Sequence, residues 1–101
     1  RTAEKVLLYL QRFDEGHANE IADVFGVSLS MVQRQLERFE RAGALVSLKK
    51  GRTRLFTWNP RYAFREELRA LLQRALEVLP ESDRHAYFTR RRRPRRTGKP
   101  G

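Results

Sequence analysis

The fold is decided by residues 17–59, HANEIADVFGVSLSMVQRQLERFERAGALVSLKKGRTRLFTWN. Their pattern predicts a short helix, a tight turn, a longer helix and a basic hairpin, in that order. The short helix should bury Ile21, Ala22 and Phe25 on its inner face, because these apolar residues share one side at helical spacing. Gly26 can adopt the left-handed backbone that ends a helix sharply, so we expect the turn there.

The longer helix is predicted over residues 29–42, where Val32, Leu36 and Phe39 recur at steps of four and three. Ser28 precedes it and is a good N-cap, because its hydroxyl can accept a hydrogen bond from a free backbone N–H. The opposite face is polar and should point away from the core. It carries Ser30, Gln33, Arg34, Glu37, Arg38 and Arg41.

Residues 44–49 and 54–58 are rich in β-branched and aromatic side chains and flank Gly51, which predicts a two-stranded hairpin. Asn59-Pro60 should end the second strand. The tip concentrates the cations Lys49, Lys50, Arg52 and Arg54. Such a loop suits contact with phosphates or insertion into a minor groove. The alternative is a solubilising loop, since lysine also protects edge strands from aggregation.

The flanking segments complete the predicted architecture. Residues 3–13 have the spacing of an amphipathic helix, which 14–16 should end before the short helix begins at His17. A long helix is expected over 63–79, with one or two further turns over 81–88. The fold class is therefore mainly α with a small β-hairpin: a three-helix core, the hairpin and a long C-terminal helix.

Composition restricts the possible functions. A length of 101 residues suits one domain with a modest core. The net charge of +10 favours polyanionic partners, but residues 90–101 hold seven of the 22 Lys and Arg residues and no acid. The chain has no cysteine, which excludes disulfides and cysteine-bound zinc and fits a reducing compartment, so we expect a cytoplasmic protein. No apolar run approaches the roughly 18 residues that span a membrane.

The helix–turn–helix order could place the longer helix in a DNA groove and the hairpin on the adjacent backbone. Side chains on the first two turns of that helix would then meet base edges. The expected base contacts are Leu29, Ser30, Met31, Gln33 and Arg34. The expected backbone contacts are Ser28, Arg38, Lys49, Lys50, Arg52, Thr53 and Arg54. The alternative is that these are ordinary solvated positions on a surface helix and loop.

Residues 20–43, the basic hairpin and Asn59-Pro60 together resemble the winged helix–turn–helix regulators of bacteria and archaea. ArsR-like repressors are the nearest group, and MarR-like proteins are similar. The likeness covers roughly residues 3–79 and implies a recognition helix over 28–42, a wing tip over 49–54, and a homodimer on a palindromic operator. Metal-sensing members use cysteine or histidine clusters, whereas this chain has no cysteine and only two histidines. The resemblance therefore does not imply metal sensing.

The long helix has more apolar surface than a three-helix core should cover. Positions 64, 68, 71, 75 and 78 follow a heptad-like rhythm. The expected dimer interface is Phe64, Leu68, Leu71, Leu72, Ala75 and Leu79. The alternative is that this helix simply packs on the first helix and closes the core of one chain.

The predicted organisation is a DNA-binding domain over 1–62, a dimerisation element over 63–89, and a disordered basic tail over 90–101. The tail could bind DNA nonspecifically through Arg90, Arg91, Arg92, Arg93, Arg95 and Arg96. It could instead link to a further domain or attach to RNA or anionic lipid.

The leading interpretation is a homodimeric, sequence-specific DNA-binding regulator of transcription. The alternatives are a winged-helix protein-interaction module and an RNA-associated protein bound through its tail. No phosphate-binding glycine loop, nucleophile elbow or metalloprotease pattern is present, so we expect no catalysis, no metal and no cofactor. The operator, the effector and the direction of regulation are not encoded in any recognisable pattern.

Overall fold

A computed structural model describes residues 1–89, which form a small α+β domain of five helices and one antiparallel sheet. The predicted order of helices and hairpin is confirmed, and the two longer predicted helices end within two residues of the expected positions. The elements are α1 Thr2–Phe13, β1 Glu15–His17, α2 Ala18–Phe25, α3 Leu29–Arg41, β2 Leu45–Lys50, β3 Thr53–Trp58, α4 Arg65–Glu77 and α5 Glu81–Tyr87.

The sheet has three strands, not the two expected from the sequence, in the order β1-β3-β2. The extra strand occupies Glu15–His17, where the sequence predicted only the end of one helix and the start of the next. It pairs antiparallel with β3, with Gly16 opposite Phe56. A Cβ atom at Gly16 would lie 2.7 Å from Cε1 of Tyr9, so the strand packs on α1 where only glycine fits. Three residues are too few to show the alternation of a strand in the sequence. The segment is extended because it pairs with β3, which is distant in the chain.

The core lies between the three N-terminal helices and the sheet. Residues from α1, α2 and α3 are completely inaccessible to solvent, and burying each such aliphatic side chain stabilises the fold by about 1.5–3 kcal/mol. They are Val6, Leu10, Ile21, Val32 and Leu36. Trp58 of β3 closes the sheet side, and its indole Nε1 donates a hydrogen bond of 3.1 Å to the carbonyl oxygen of Leu10. The buried stripe predicted on α3 is therefore confirmed.

The turn between α2 and α3 has the predicted geometry. Gly26 adopts a left-handed backbone with φ of 64°, which lets α2 end abruptly. Ser28 caps α3, because its Oγ accepts a hydrogen bond of 3.2 Å from the backbone N–H of Met31. The turn and the cap together set the direction in which α3 leaves the turn and therefore which of its sides faces outward.

Helix α4 packs across α1 and belongs to the same core, since Leu72 is one of the buried residues of the main cluster. Arg69 ties the two helices together from α4. Its Nε donates to Oε1 of Gln11 at 2.7 Å, and its Nη2 lies 2.5 Å from Oδ1 of Asp14. Its guanidinium also lies over the Trp58 ring, 5.3 Å from the centroid.

Candidate nucleic-acid interface

The positive charge of the described residues is concentrated on α3 and the hairpin. Residues 28–58 carry seven Lys and Arg side chains against two acids, a net of +5, whereas residues 1–27 have a net of −2 and residues 59–89 a net of zero. The seven cations are all exposed: Arg34, Arg38, Arg41, Lys49, Lys50, Arg52 and Arg54. This uneven distribution of charge suits a polyanionic partner for α3 and the hairpin.

The outward side of α3 presents every residue that the sequence predicted to read bases. Val32 and Leu36 are fully buried and hold the helix against the core, so the residues on the opposite side of the helix face outward. Ser30, Gln33 and Arg34 are exposed. Leu29 and Met31 are 39% and 47% exposed. The helix therefore offers donors, acceptors and apolar groups together.

The hairpin places its cations on both faces of a two-residue turn formed by Gly51 and Arg52. Lys49 lies opposite Arg54, and Lys50 lies opposite Thr53. Directly opposed residues share a sheet face, so the first pair points to one side and the second pair to the other. Cations at this tip can therefore meet an anionic surface from either side.

An open cleft of about 260 Å³ separates the hairpin from α3. The hairpin contributes three cations and Phe56, α3 contributes two polar side chains, and the start of α2 forms the floor. The lining residues are His17, Ala18, Asn19, Gln33, Glu37, Lys49, Arg52, Thr53, Arg54 and Phe56. Of the predicted base contacts only Gln33 lines this cleft, together with the predicted hairpin contacts Lys49, Arg52, Thr53 and Arg54. Glu37 is the acid that borders it.

A hydrogen-bonded chain connects α3 to the hairpin. Ser47 Oγ donates to Oε2 of Glu40 at 2.7 Å, and Arg54 Nη1 donates to Ser47 Oγ at 3.1 Å. The Glu40 carboxylate is turned toward β2, where it accepts a hydrogen bond. Ser47 had no signal in the sequence, since its partners lie on other elements.

His17 is a second residue whose role was not predicted. Its backbone N–H donates to Oε1 of Glu20 at 3.1 Å, and its Nδ1 lies 3.2 Å from the carbonyl oxygen of Arg54. It therefore joins the start of α2 to β3 at the floor of the cleft. Glu20 lies three residues after His17, which is the spacing of a capping box and indicates the first of these contacts. No neighbouring residue in the sequence indicates the second.

The predicted dimer residues divide into three groups by their exposure. Leu72 is only 8% exposed and is corrected to a core residue of one chain, because packing against α1 removes it from any partner. Leu68, Ala75 and Leu79 are partly buried. The exposed group consists of Phe64, Leu71 and Val78, which are 62%, 66% and 65% exposed. Val78 was missing from the predicted interface although it continues the same seven-residue spacing.

The predicted tail contacts Arg90, Arg91, Arg92, Arg93, Arg95 and Arg96 lie outside the described residues. Within residues 1–89, no three His, Asp or Glu side chains are grouped closely enough to hold a metal ion. No helix in this part of the chain has the length and apolar character needed to cross a bilayer.

Comparisons of the chain with protein-family models, with curated proteins and with solved structures found no match. The charge and shape of this surface are therefore the basis for assigning a function.

Proposed function

We propose that the chain is a winged-helix protein that binds double-stranded DNA and regulates transcription from specific sites. The observation that carries this proposal is the position of α3 beside the hairpin. Gln33 on the exposed side of α3 borders the same cleft as the hairpin cations Lys49, Arg52 and Arg54. The order of helices and the pairing of the hairpin with a short third strand support the winged-helix assignment.

In this arrangement α3 enters the major groove. Its 13 residues make a rod of about 20 Å, and a major groove about 12 Å wide admits such a helix. Arg34 can donate two hydrogen bonds to guanine, Gln33 can pair with adenine, and Ser30 can contact either. Leu29 and Met31 can pack on thymine methyl groups.

The hairpin contacts the backbone beside the groove. Lys50 and Arg52 are exposed at the tip, where they can neutralise phosphates without reading sequence. Arg54 has a narrower role, because one of its guanidinium N–H groups already donates to Ser47. Ser47 and Glu40 thereby hold this cation at a set distance from α3, so that helix and hairpin approach the duplex as one unit.

We further propose that two copies bind together through α4. Phe64, Leu71 and Val78 recur every seven residues and expose about two thirds of their surface, which is costly in a monomer. A twofold axis at Leu71 that sets the helices antiparallel would place Phe64 of one copy on Val78 of the other. A dimer reads two half-sites and is more selective than one module alone.

A second candidate function is a protein-interaction module. The outer side of the hairpin carries Val46 and Leu48, which are 37% and 59% exposed and point away from the cleft. An apolar patch there would suit a protein partner better than a phosphate backbone. This candidate uses the opposite side of the hairpin, so the two functions predict different sensitive residues.

The deciding experiment is selection of genomic fragments by the purified chain, followed by a mobility-shift titration. The proposal expects enrichment of a common motif and tighter binding to it than to an unrelated duplex or a structured RNA. Arg34→Ala should relax the enriched motif at one base position. The matched control Arg61→Ala removes a charge beyond the end of β3 that lies away from the hairpin tip, and it should leave the motif unchanged. Absence of any duplex binding at moderate salt would overturn the proposal. If DNA binding is absent and Leu48→Glu weakens binding to a protein partner, the second candidate is favoured.

A further inference from the structure

The cations that line the cleft between the hairpin and α3 are not neutralised by acids of the fold. Lys49, Arg52 and Arg54 are exposed there. Of the two ion pairs found within residues 1–89, one joins α4 to the end of α1 and the other lies within α4, so neither involves these cations. The lining also contains one acid, Glu37, and three positive charges less one negative charge leave a net of +2. The cleft therefore favours an anionic ligand.

Two of these cations are already in position beside each other. Arg54 donates from Nη1 to Ser47 Oγ at 3.1 Å, and its carbonyl oxygen lies 3.2 Å from Nδ1 of His17. A guanidinium has five N–H donors, so this contact leaves others for a ligand. Lys49 lies directly opposite Arg54 on the same face of the hairpin. A single phosphate group can meet both side chains, at a reduced cost in ordering because Arg54 is held in advance.

The helices contribute a different chemistry to the same cleft. Gln33 and Glu37 are four residues apart on α3 and therefore lie on one side of it, and Asn19 comes from the start of α2. The two amides can donate and accept hydrogen bonds, whereas an ionised carboxylate only accepts them. A carboxylate repels a phosphate but accepts hydrogen bonds from hydroxyl groups. The cleft thus has a cationic side on the hairpin and a side suited to hydroxyl groups on the helices.

The size of the cleft limits the ligand. Its volume of about 260 Å³ is slightly below the range of about 300–1,000 Å³ that is typical of sites for drug-sized molecules. A compound with one phosphate group and a short chain or ring of hydroxyl groups matches this volume and both sides of the cleft. The backbone of a DNA duplex offers phosphates but no free hydroxyl groups, so it would leave the helix side of the cleft without a matching partner.

We propose that this cleft binds a small sugar phosphate, which acts as an effector that releases the protein from DNA. Lys49 and Arg54 bind its phosphate group, and Gln33, Asn19 and Glu37 bind its hydroxyl groups. The ligand competes with DNA because it occupies hairpin cations and the Gln33 side chain that the proposed function assigns to the duplex. The release of DNA rests on that proposed function, whereas the binding of the ligand does not.

Isothermal titration calorimetry of the full chain, without DNA and in a phosphate-free buffer, tests the site directly. The probes are ribose 5-phosphate, glucose 6-phosphate and glycerol 3-phosphate. Inorganic phosphate and ribose are the controls, since each carries only one part of the recognised chemistry. We expect at least one probe to bind about tenfold more tightly than inorganic phosphate, the factor that one charge-assisted hydrogen bond contributes, and ribose not to bind. Binding of none of the three probes, or equal binding of inorganic phosphate, would overturn the proposal.

Two substitutions separate the two sides of the cleft. Lys49→Gln should weaken the tightest probe by about tenfold through the loss of one charge-assisted contact. The matched control Arg61→Gln removes the same charge from an exposed residue that does not line the cleft, and it should leave the affinity unchanged; equal losses would reduce the effect to general charge attraction and overturn the site. Glu37→Gln should lower the preference for the probe over inorganic phosphate, and an unchanged preference would overturn the role of the helix side.

A mobility-shift titration of the selected duplex tests the release of DNA. The tightest probe should weaken duplex binding in proportion to its occupancy of the cleft, and unaffected duplex binding at saturation would overturn the effector role. Duplex binding without probe binding would overturn this inference alone, whereas probe binding without duplex binding would overturn the proposed function alone. If a short single-stranded RNA binds more tightly than every probe and is weakened by both Lys49→Gln and Glu37→Gln, the ligand of the cleft is RNA and the sugar-phosphate proposal is overturned.

Discussion

Lys49 and Arg54 lie directly opposite each other across the β2–β3 hairpin, on the face that borders the cleft. Two like charges at directly opposed positions destabilise a strand pair. A phosphate between the hairpin and α3 would remove that repulsion, so the unfavourable pair in the free protein becomes a favourable site in a complex. Two adjacent cations suit a hairpin that binds an anion, although their repulsion slightly destabilises the free protein.

Removing one charge of this pair should stabilise the fold and weaken the binding of DNA. Lys49→Gln is expected to raise the free energy of unfolding by a few tenths to about 1 kcal/mol, because it relieves the cross-strand repulsion. It should also weaken duplex binding. Urea unfolding and fluorescence titration measure the two effects. The matched control is Lys50→Gln, whose cross-strand partner is the neutral Thr53; a stability gain there as well would contradict the explanation.

Arg34→Ala should cost about 1–3 kcal/mol of binding free energy on the selected motif and relax selectivity at one base position. The reason is the loss of the proposed bidentate contact to guanine. Binding-site selection with the variant measures the change. An unaltered motif would show that Arg34 does not read bases.

Arg52→Ala should weaken binding to every duplex by a similar factor and lower the salt slope by about one unit. Its side chain is exposed at the hairpin tip, where the proposal gives it a phosphate contact that does not depend on base sequence. Titrations at several salt concentrations, with the selected motif and with an unrelated duplex, provide the measurement. A loss confined to the selected motif would contradict the phosphate role.

Leu71→Glu should prevent the proposed dimerisation without unfolding the chain, because Leu71 is 66% exposed and contributes little buried surface to its own chain. Sedimentation velocity at several concentrations measures the association. Leu48→Glu is the matched control, since it adds the same charge at another exposed apolar position, 59% accessible on the hairpin. Equal association of Leu71→Glu and the unaltered chain would remove α4 as the interface.

Ser47→Ala should loosen the connection between α3 and the hairpin. It removes the hydroxyl that donates to Glu40 and accepts from Arg54, and a lost hydrogen bond of this kind costs about 0.5–1.5 kcal/mol. We expect weaker DNA binding with little change in the selected motif, because the base-reading side chains are untouched. Thr57→Ala is the control: it removes a hydroxyl that bonds only the Asp14 carbonyl at the far end of the sheet. Equal effects on binding would contradict a specific role for Ser47.

The amino-acid sequence alone determined the elements whose causes are local. A cap at Ser28, a left-handed turn at Gly26 and an apolar stripe through Val32 and Leu36 each act within a few residues, so α3 and its outward polar face were predictable. The hairpin was predictable for the same reason, since its turn and strands are adjacent in the chain. The expected base-contacting residues accordingly lie on the exposed side of α3.

The tertiary structure alone decided what depends on partners distant in the chain. Strand β1 exists because β3 pairs with it, and Glu40 is turned away from the cleft because Ser47 lies on the neighbouring strand. Leu71 and Leu72 are adjacent and equally apolar, yet one is exposed and the other buried, because only one side of α4 meets α1. Periodicity reveals that a helix has an apolar side, but long-range packing selects which part of that side is covered and which remains available to a second molecule.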